Sequence, residues 1–250
     1  GRDYGLAAHR LAVTGLAGIG IATLLEVVMQ MVPGGRRLDP LTATISAFAL
    51  EPGGWLFSVG VIILAVASTV LGAALLVARL VSWRQPWAIW YALWCIGLVG
   101  LTVITKTEIG PNSSVQSRIH WSFTLLAFVS LPLAVLLIVR ELRRRARTEH
   151  LRLPRPLRAA TVLMWIAVGW FVLLAGQSAL SVLHRDGLFP WVGLIERGVA
   201  VTEMAAVVCL GWWVIHERRA VLAAFAEQQR AHGHPEAATR RTQRPRGDSR

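Results

Sequence analysis

Apolar residues run through this chain in six long blocks, about 11–32, 55–82, 87–105, 118–140, 159–183 and 192–216, with short polar stretches between them. Several blocks reach the roughly 20 residues that a helix needs to cross a bilayer. They are too long for barrel strands, and in lipid only a helix satisfies its own backbone hydrogen bonds one segment at a time. The pattern predicts an all-α fold, a polytopic bundle of six transmembrane helices. The first block is long, leads straight into the multispanning pattern and lacks a small-residue cleavage site. It therefore reads as a span and not as a cleaved leader. No long internal repeat accompanies the blocks.

The polar stretches carry their own signals. Asp39-Pro40 is a helix start, with Asp as cap and Pro in the first turn, and "LTATISAFALE" follows with Leu41, Ile45 and Phe48 at helical spacing. Pro52-Gly53-Gly54 ends it, so a short interfacial helix is expected in the first outer loop. The stretch "TKTEIGPNSSVQSRIHW", residues 105–121, turns at Gly110-Pro111. Ser113 with Gln116 then reads as a capping box that opens the fourth helix, placing His120 about two turns inside it. After the sixth block, "RRAVLAAFAEQQR" continues as helix, and the sequence beyond about 230 is polar, Pro-containing and expected to be disordered. Two regions result: a membrane domain over 1–216 and a basic tail over 217–250.

Charge sets the expected orientation. With both termini cytoplasmic, 20 Lys and Arg residues fall on the inner side and six on the outer side. The positive-inside rule selects that arrangement. Trp55, Trp121 and Trp191 are then expected at the outer interface, and Trp83, Trp87, Trp212 and Trp213 at the inner one. The formal net charge of +12 is concentrated in the 140–158 loop and the tail, where topology accounts for it without nucleic acid. Cys95 and Cys209 both lie inside apolar blocks, which argues against a disulfide or a cysteine metal site. A multi-pass protein of the plasma membrane is expected.

Polar side chains inside lipid are costly, so their placement carries the functional signal. Thr23, Glu26 and Gln30 share one face of the first span. Gln116, His120 and Thr124 share a face of the fourth, and Gln177, Ser181 and His184 of the fifth. Glu196 and Glu203 lie seven apart on one face of the sixth. Apart from the deeper Glu203, these stripes lie toward the outer ends of their spans. Turned toward one another, with Glu108 on the adjoining loop, they would form an outward-facing polar pocket. The competing reading is structural glue between helices, with Glu196 and Arg197 capping the start of the sixth span. Thr14, Gly18 and Ala22, Ser68 and Gly72, and Gly97 and Gly100 form small-residue stripes suited to close helix packing or dimerisation. No HExxH, no paired His at ligand spacing and no GxSxG occurs, so neither a metal nor another cofactor is expected.

Two segments resemble a known family. "ISAFALEPGGWLFSVGVIILAVAS" resembles the loop and second span of the bacterial membrane proteins grouped as domain of unknown function 998. "GLTVITKTEIGPNSSVQSRIHWSFTLLAF" resembles that family's polar outer loop followed by a histidine entering the fourth span. The resemblance covers most of residues 11–216, implies the six-span fold and carries His120 over as a family position. Where the family often has a Phe-Pro-Xaa-Asp-like stretch this chain reads "TKTEIGP", with Glu108 as the substitute for the aspartate. The family has no settled activity. The expectation is a non-enzymatic protein whose pocket binds a lipid headgroup, small ligand or partner, with membrane lipids and a second copy of the chain as partners. Two alternatives stay open. One is a membrane enzyme acting on lipid-linked substrates at the outer leaflet, with His120 and a carboxylate as acid–base pair. The other is a proton- or ion-coupled transporter with Glu26 and Glu203 as carriers.

Overall fold

A computed structural model describes residues 2–107, 114–148, 154–184 and 191–232, with side chains over 4–107, 114–144, 154–178 and 191–216. The helices are α1 (Arg2–Met31), α2 (Trp55–Val77), α3 (Trp87–Val103), α4 (Val115–Thr148), α5 (Arg155–His184) and α6 (Val192–His232). Among the described residues there is no strand. All but α3 are long and apolar enough to cross a membrane. The apolar α3 has 17 residues; at 1.5 Å rise each it spans about 26 Å, just short of a hydrocarbon core of about 30 Å.

Several helices outrun the apolar blocks that predict them. α1 starts at Arg2, α4 continues to Thr148 and α6 to His232. Straight-chain and small polar residues extend a helix into water as readily as apolar ones do. α2 is the exception and stops early. Its last turn closes with Leu80 N–H on Leu75 O at 3.2 Å and Arg79 N–H on Leu76 O at 2.9 Å. Arg79 sits at φ 57, so this is a helix-ending motif with arginine in the position glycine usually takes.

The loops bend the sequence expectations further. After Asp39-Pro40 the chain makes one turn, with Ala43 N–H on Asp39 O at 2.8 Å and Leu41 N–H on the Asp39 carboxylate at 3.0 Å. Asp39 therefore caps a single turn rather than opening the expected short helix. Regular structure resumes only as a 3-10 segment, Ile45–Leu50, whose Ser46, Ala47 and Phe48 are buried. Ser113 lies outside the described residues, and it is Ser114 that caps α4, its Oγ accepting the Ser117 N–H at 3.2 Å. Gln116 instead donates to Thr105 O at 2.9 Å.

Consecutive helices neighbour one another, and α1 also packs on α6. α6 touches α1, α2, α4 and α5, which puts it at the hub. Small residues set the closest approaches. A Cβ on Gly18 would stand 2.7 Å from Ala67 Cβ, and one on Gly97 would stand 2.9 Å from the Ala127 backbone nitrogen. Thr14, grouped with Gly18 by spacing, is exposed, and Gly15 takes its place against Ala67 and Leu71. Fully buried Leu71, Leu75, Leu131, Ile138, Met164 and Leu210 fill the half of the bundle toward the C-terminal ends of α2 and α4. Trp55, Trp83, Trp191 and Trp212 are exposed, whereas Trp87 and Trp213 are each only 3% exposed. The two buried rings are core residues, not interfacial anchors. Trp87 lies edge-on to Tyr91 and donates to Ser82 O at 2.9 Å.

Candidate functional site

At the opposite end of the bundle the packing opens. The C-terminal halves of α1 and α3 meet the N-terminal halves of α2, α4 and α6 there, and a cavity of about 90 Å³ lies between them. Its polar groups are Glu26 from α1, Ser46 from the 3-10 segment, Thr124 from α4, and Glu196 and Glu203 from α6. Phe57, Trp94, Leu98, Leu101 and Phe128 make much of the apolar wall. The seven-residue spacing of Glu196 and Glu203 is two helical turns, so one face of α6 aims both into the cavity.

The carboxylates differ in what holds them. Glu196 is 3% exposed and accepts the Ile45 N–H at 2.8 Å, which caps the first residue of the 3-10 segment from 151 positions away. Lys106 Nζ lies 3.4 Å from Thr44 Oγ1 beside it, within electrostatic reach of Glu196. Burial pulls the Lys106 pKa below its ordinary value, and Glu196 partly opposes that shift. Arg197 acts electrostatically on both Glu26 and Glu196. Its Nη1 donates to Pro40 O, Ala43 O and Gly193 O at 2.8, 2.7 and 3.1 Å, tying the 39–43 turn to α6. Gly193 permits that seat, since a Cβ there would strike the Ala43 and Pro40 carbonyl oxygens. Glu203 is different. It is 3% exposed, its Oε1 has no hydrogen-bond partner, and no charged side chain among the described residues acts on it.

The sequence-predicted residues divide accordingly. Glu26, Glu196 and Glu203 line one cavity. They are not grouped closely enough to hold one metal ion together, and no such group occurs among the described residues. His120 is buried but does not line the cavity. Its Nδ1 lies 2.7 Å from Ile104 O just past the end of α3. A carbonyl only accepts, so Nδ1 carries the proton there and the ring satisfies an end carbonyl of α3. His120 Nε2 is buried without a partner. Thr124, one turn further, is the member of that stripe that reaches the cavity, and its hydroxyl donates to His120 O at 3.2 Å. Gln116 serves the loop, as above. Gln30 lines a separate surface groove between α1 and α6, together with Glu26, Arg197, Val201 and Met204. Gln177, on α5, does not line the cavity. Glu108 and the side chain of His184 lie outside the described residues.

Sequence reasoning passed over Ser46, Lys106 and the cavity's aromatic walls as site members. Lys106 had a signal, being the chain's single lysine in a polar loop between apolar blocks. Ser46 had none, because nothing in "TISAFAL" says that this stretch folds inward over the helix ends.

Five helices of membrane-crossing length, with carboxylates buried where the bundle opens, define an integral membrane protein of the helical-bundle class. More particularly, the chain belongs to the family described as protein of unknown function, DUF998, whose profile matches residues 16–213. No curated protein and no solved structure matches it.

Proposed function

We propose that this chain is a six-span bacterial inner-membrane protein, both termini cytoplasmic, whose cavity opens toward the outer face and binds a small ligand or lipid headgroup. α3 is the sixth span, completed across the bilayer by Ile104 and Thr105. The 20-to-6 split of Lys and Arg supports that orientation. The observation that carries the binding reading is Glu203, a buried carboxyl with an unpartnered oxygen on an otherwise mostly apolar cavity wall. An unsatisfied buried polar group costs about 1–3 kcal/mol, and structural glue would have given it a partner on a neighbouring helix.

An acid–base enzyme draws little support from the geometry, because the His120 ring stands off the cavity wall. Ion-coupled transport draws more, because Glu26 borders both the cavity and the α1–α6 groove. Proteoliposome flux that is unchanged in Glu203→Gln counts against it. The binding reading is tested by native mass spectrometry of protein extracted in mild detergent. Wild type is expected to retain a non-covalently bound molecule that Ala200→Phe, which fills the cavity, releases. Identical spectra for the two proteins contradict it.

A further inference from the structure

The cavity and the groove share two side chains, Glu26 and Met204. The cavity is small, about 90 Å³, and suits a compact headgroup rather than a whole amphiphile. The groove is larger, about 620 Å³, and runs along the bundle surface between α1 and α6. Its walls are apolar and outward-facing, with Val27 48%, Val201 65% and Val208 40% exposed. Glu26 and Met204 form the partition between the two spaces, and both are flexible, unbranched side chains.

The charges around the cavity do not balance. Glu26, Glu196 and Glu203 face it, while Lys106 and Arg197 stand at its rim beside Glu196 and Glu26. Among the described residues that leaves one carboxyl in excess, and Glu203 is the one without a cation or a hydrogen bond at Oε1. Trp94, Phe57 and Phe128 supply ring surface in the same wall. Carboxylate plus aromatic faces in a desolvated space recognise an organic ammonium group.

Resting on the binding reading above, we infer that the ligand is an amphiphilic cation: an alkylammonium headgroup beside Glu203, with its apolar tail lying in the α1–α6 groove. The headgroup sits past Glu26 and Met204 inside the cavity, while the tail stays in the groove beside the lipid. The same chemistry is offered by a single-chain alkylamine and by a phospholipid with an amine headgroup.

The test uses the full chain in maltoside detergent, titrated at submicellar concentration with dodecyltrimethylammonium, dodecyl sulfate or a short-chain phosphatidylethanolamine. Binding is read from intrinsic tryptophan fluorescence and from the thermal midpoint. The single-chain cation, the amine phospholipid or both are expected to bind saturably, and the stronger of the two names the source. Glu203→Gln is expected to weaken that binding roughly 10–100-fold, the weight of one charge-assisted contact. Val201→Trp, which obstructs only the groove, is expected to weaken long-chain ligands while sparing tetramethylammonium. Equal binding of dodecyl sulfate and the cation overturns the cationic class and leaves a binding pocket standing. Saturable binding by none of the three removes the pocket reading as well. Unchanged affinity in a folded Glu203→Gln protein overturns the headgroup assignment.

Discussion

Glu203 separates a site from a scaffold. A buried carboxyl that serves only structure is expected to be paired, and its removal is expected to destabilise the fold. An unpartnered one is a cost that the fold carries for another reason. Glu203→Met is therefore expected to raise the thermal midpoint in detergent, by the equivalent of about 1–3 kcal/mol. A lowered midpoint would show that the carboxyl holds helices together. Arg197 has the opposite character. Its guanidinium gathers three carbonyl oxygens through Nη1, an atom one bond further from the backbone than a lysine ammonium reaches. Arg197→Lys is expected to loosen the 39–43 turn, seen as faster limited proteolysis of the 33–54 loop with the helices intact. Lys106 gives the pH dependence. Its folded pKa is lowered, so the folded state disfavours the ammonium. The Lys106 contribution to stability is then expected to rise with pH from that lowered value up to the ordinary 10.5, and the difference between wild type and Lys106→Met in a pH series of thermal midpoints should show it.

At the level of helices, spacing in the sequence said more about which residues share a face than about which faces meet. Glu196 and Glu203 could be put on one side of a helix from their seven-residue separation alone, and the apolar blocks located every helix. The α5 stripe was equally regular, yet Gln177 is not among the residues that line the cavity. Periodicity fixes a direction on one rod and is silent about its neighbours. The 3-10 segment was hidden for another reason: Asp39-Pro40 has the chemistry of a helix cap, but the Asp39 carboxylate is used up on a local turn. Close packing at Gly97 was legible as a small-residue stripe, although its partner Ala127 was not. Gly97→Leu is expected to destabilise the protein by about 1–3 kcal/mol, since its Cβ would meet the Ala127 backbone and not a movable side-chain end. Wild-type thermal stability in that variant would mean that α3 and α4 are further apart than described.

Across the whole molecule, one end of the bundle is apolar and closely packed and the other holds the cavity, the 3-10 segment and the Lys106 loop. Side chains such as Val66, Trp165, Val172 and Val201 are exposed on its flanks, an apolar surface suited to lipid and not to water. Overall class, helix positions and three of the cavity's carboxylates were readable from hydropathy and helical spacing. The role of His120 was not, because its hydrogen bond to Ile104 O depends on how α3 ends, which no local pattern encodes. The central claim is that the carboxylate cavity is reached from the outer side of the membrane. Its most direct measurement replaces Cys95 and Cys209 with alanine, introduces Ser46→Cys on the cavity wall, and treats intact cells with a small membrane-impermeant thiol reagent. Ser46→Cys is expected to react from outside, faster than a fully buried Ala134→Cys control and more slowly once Ala200→Phe fills the cavity. Reaction only after the cells are broken, or at the rate of the buried control, would contradict it.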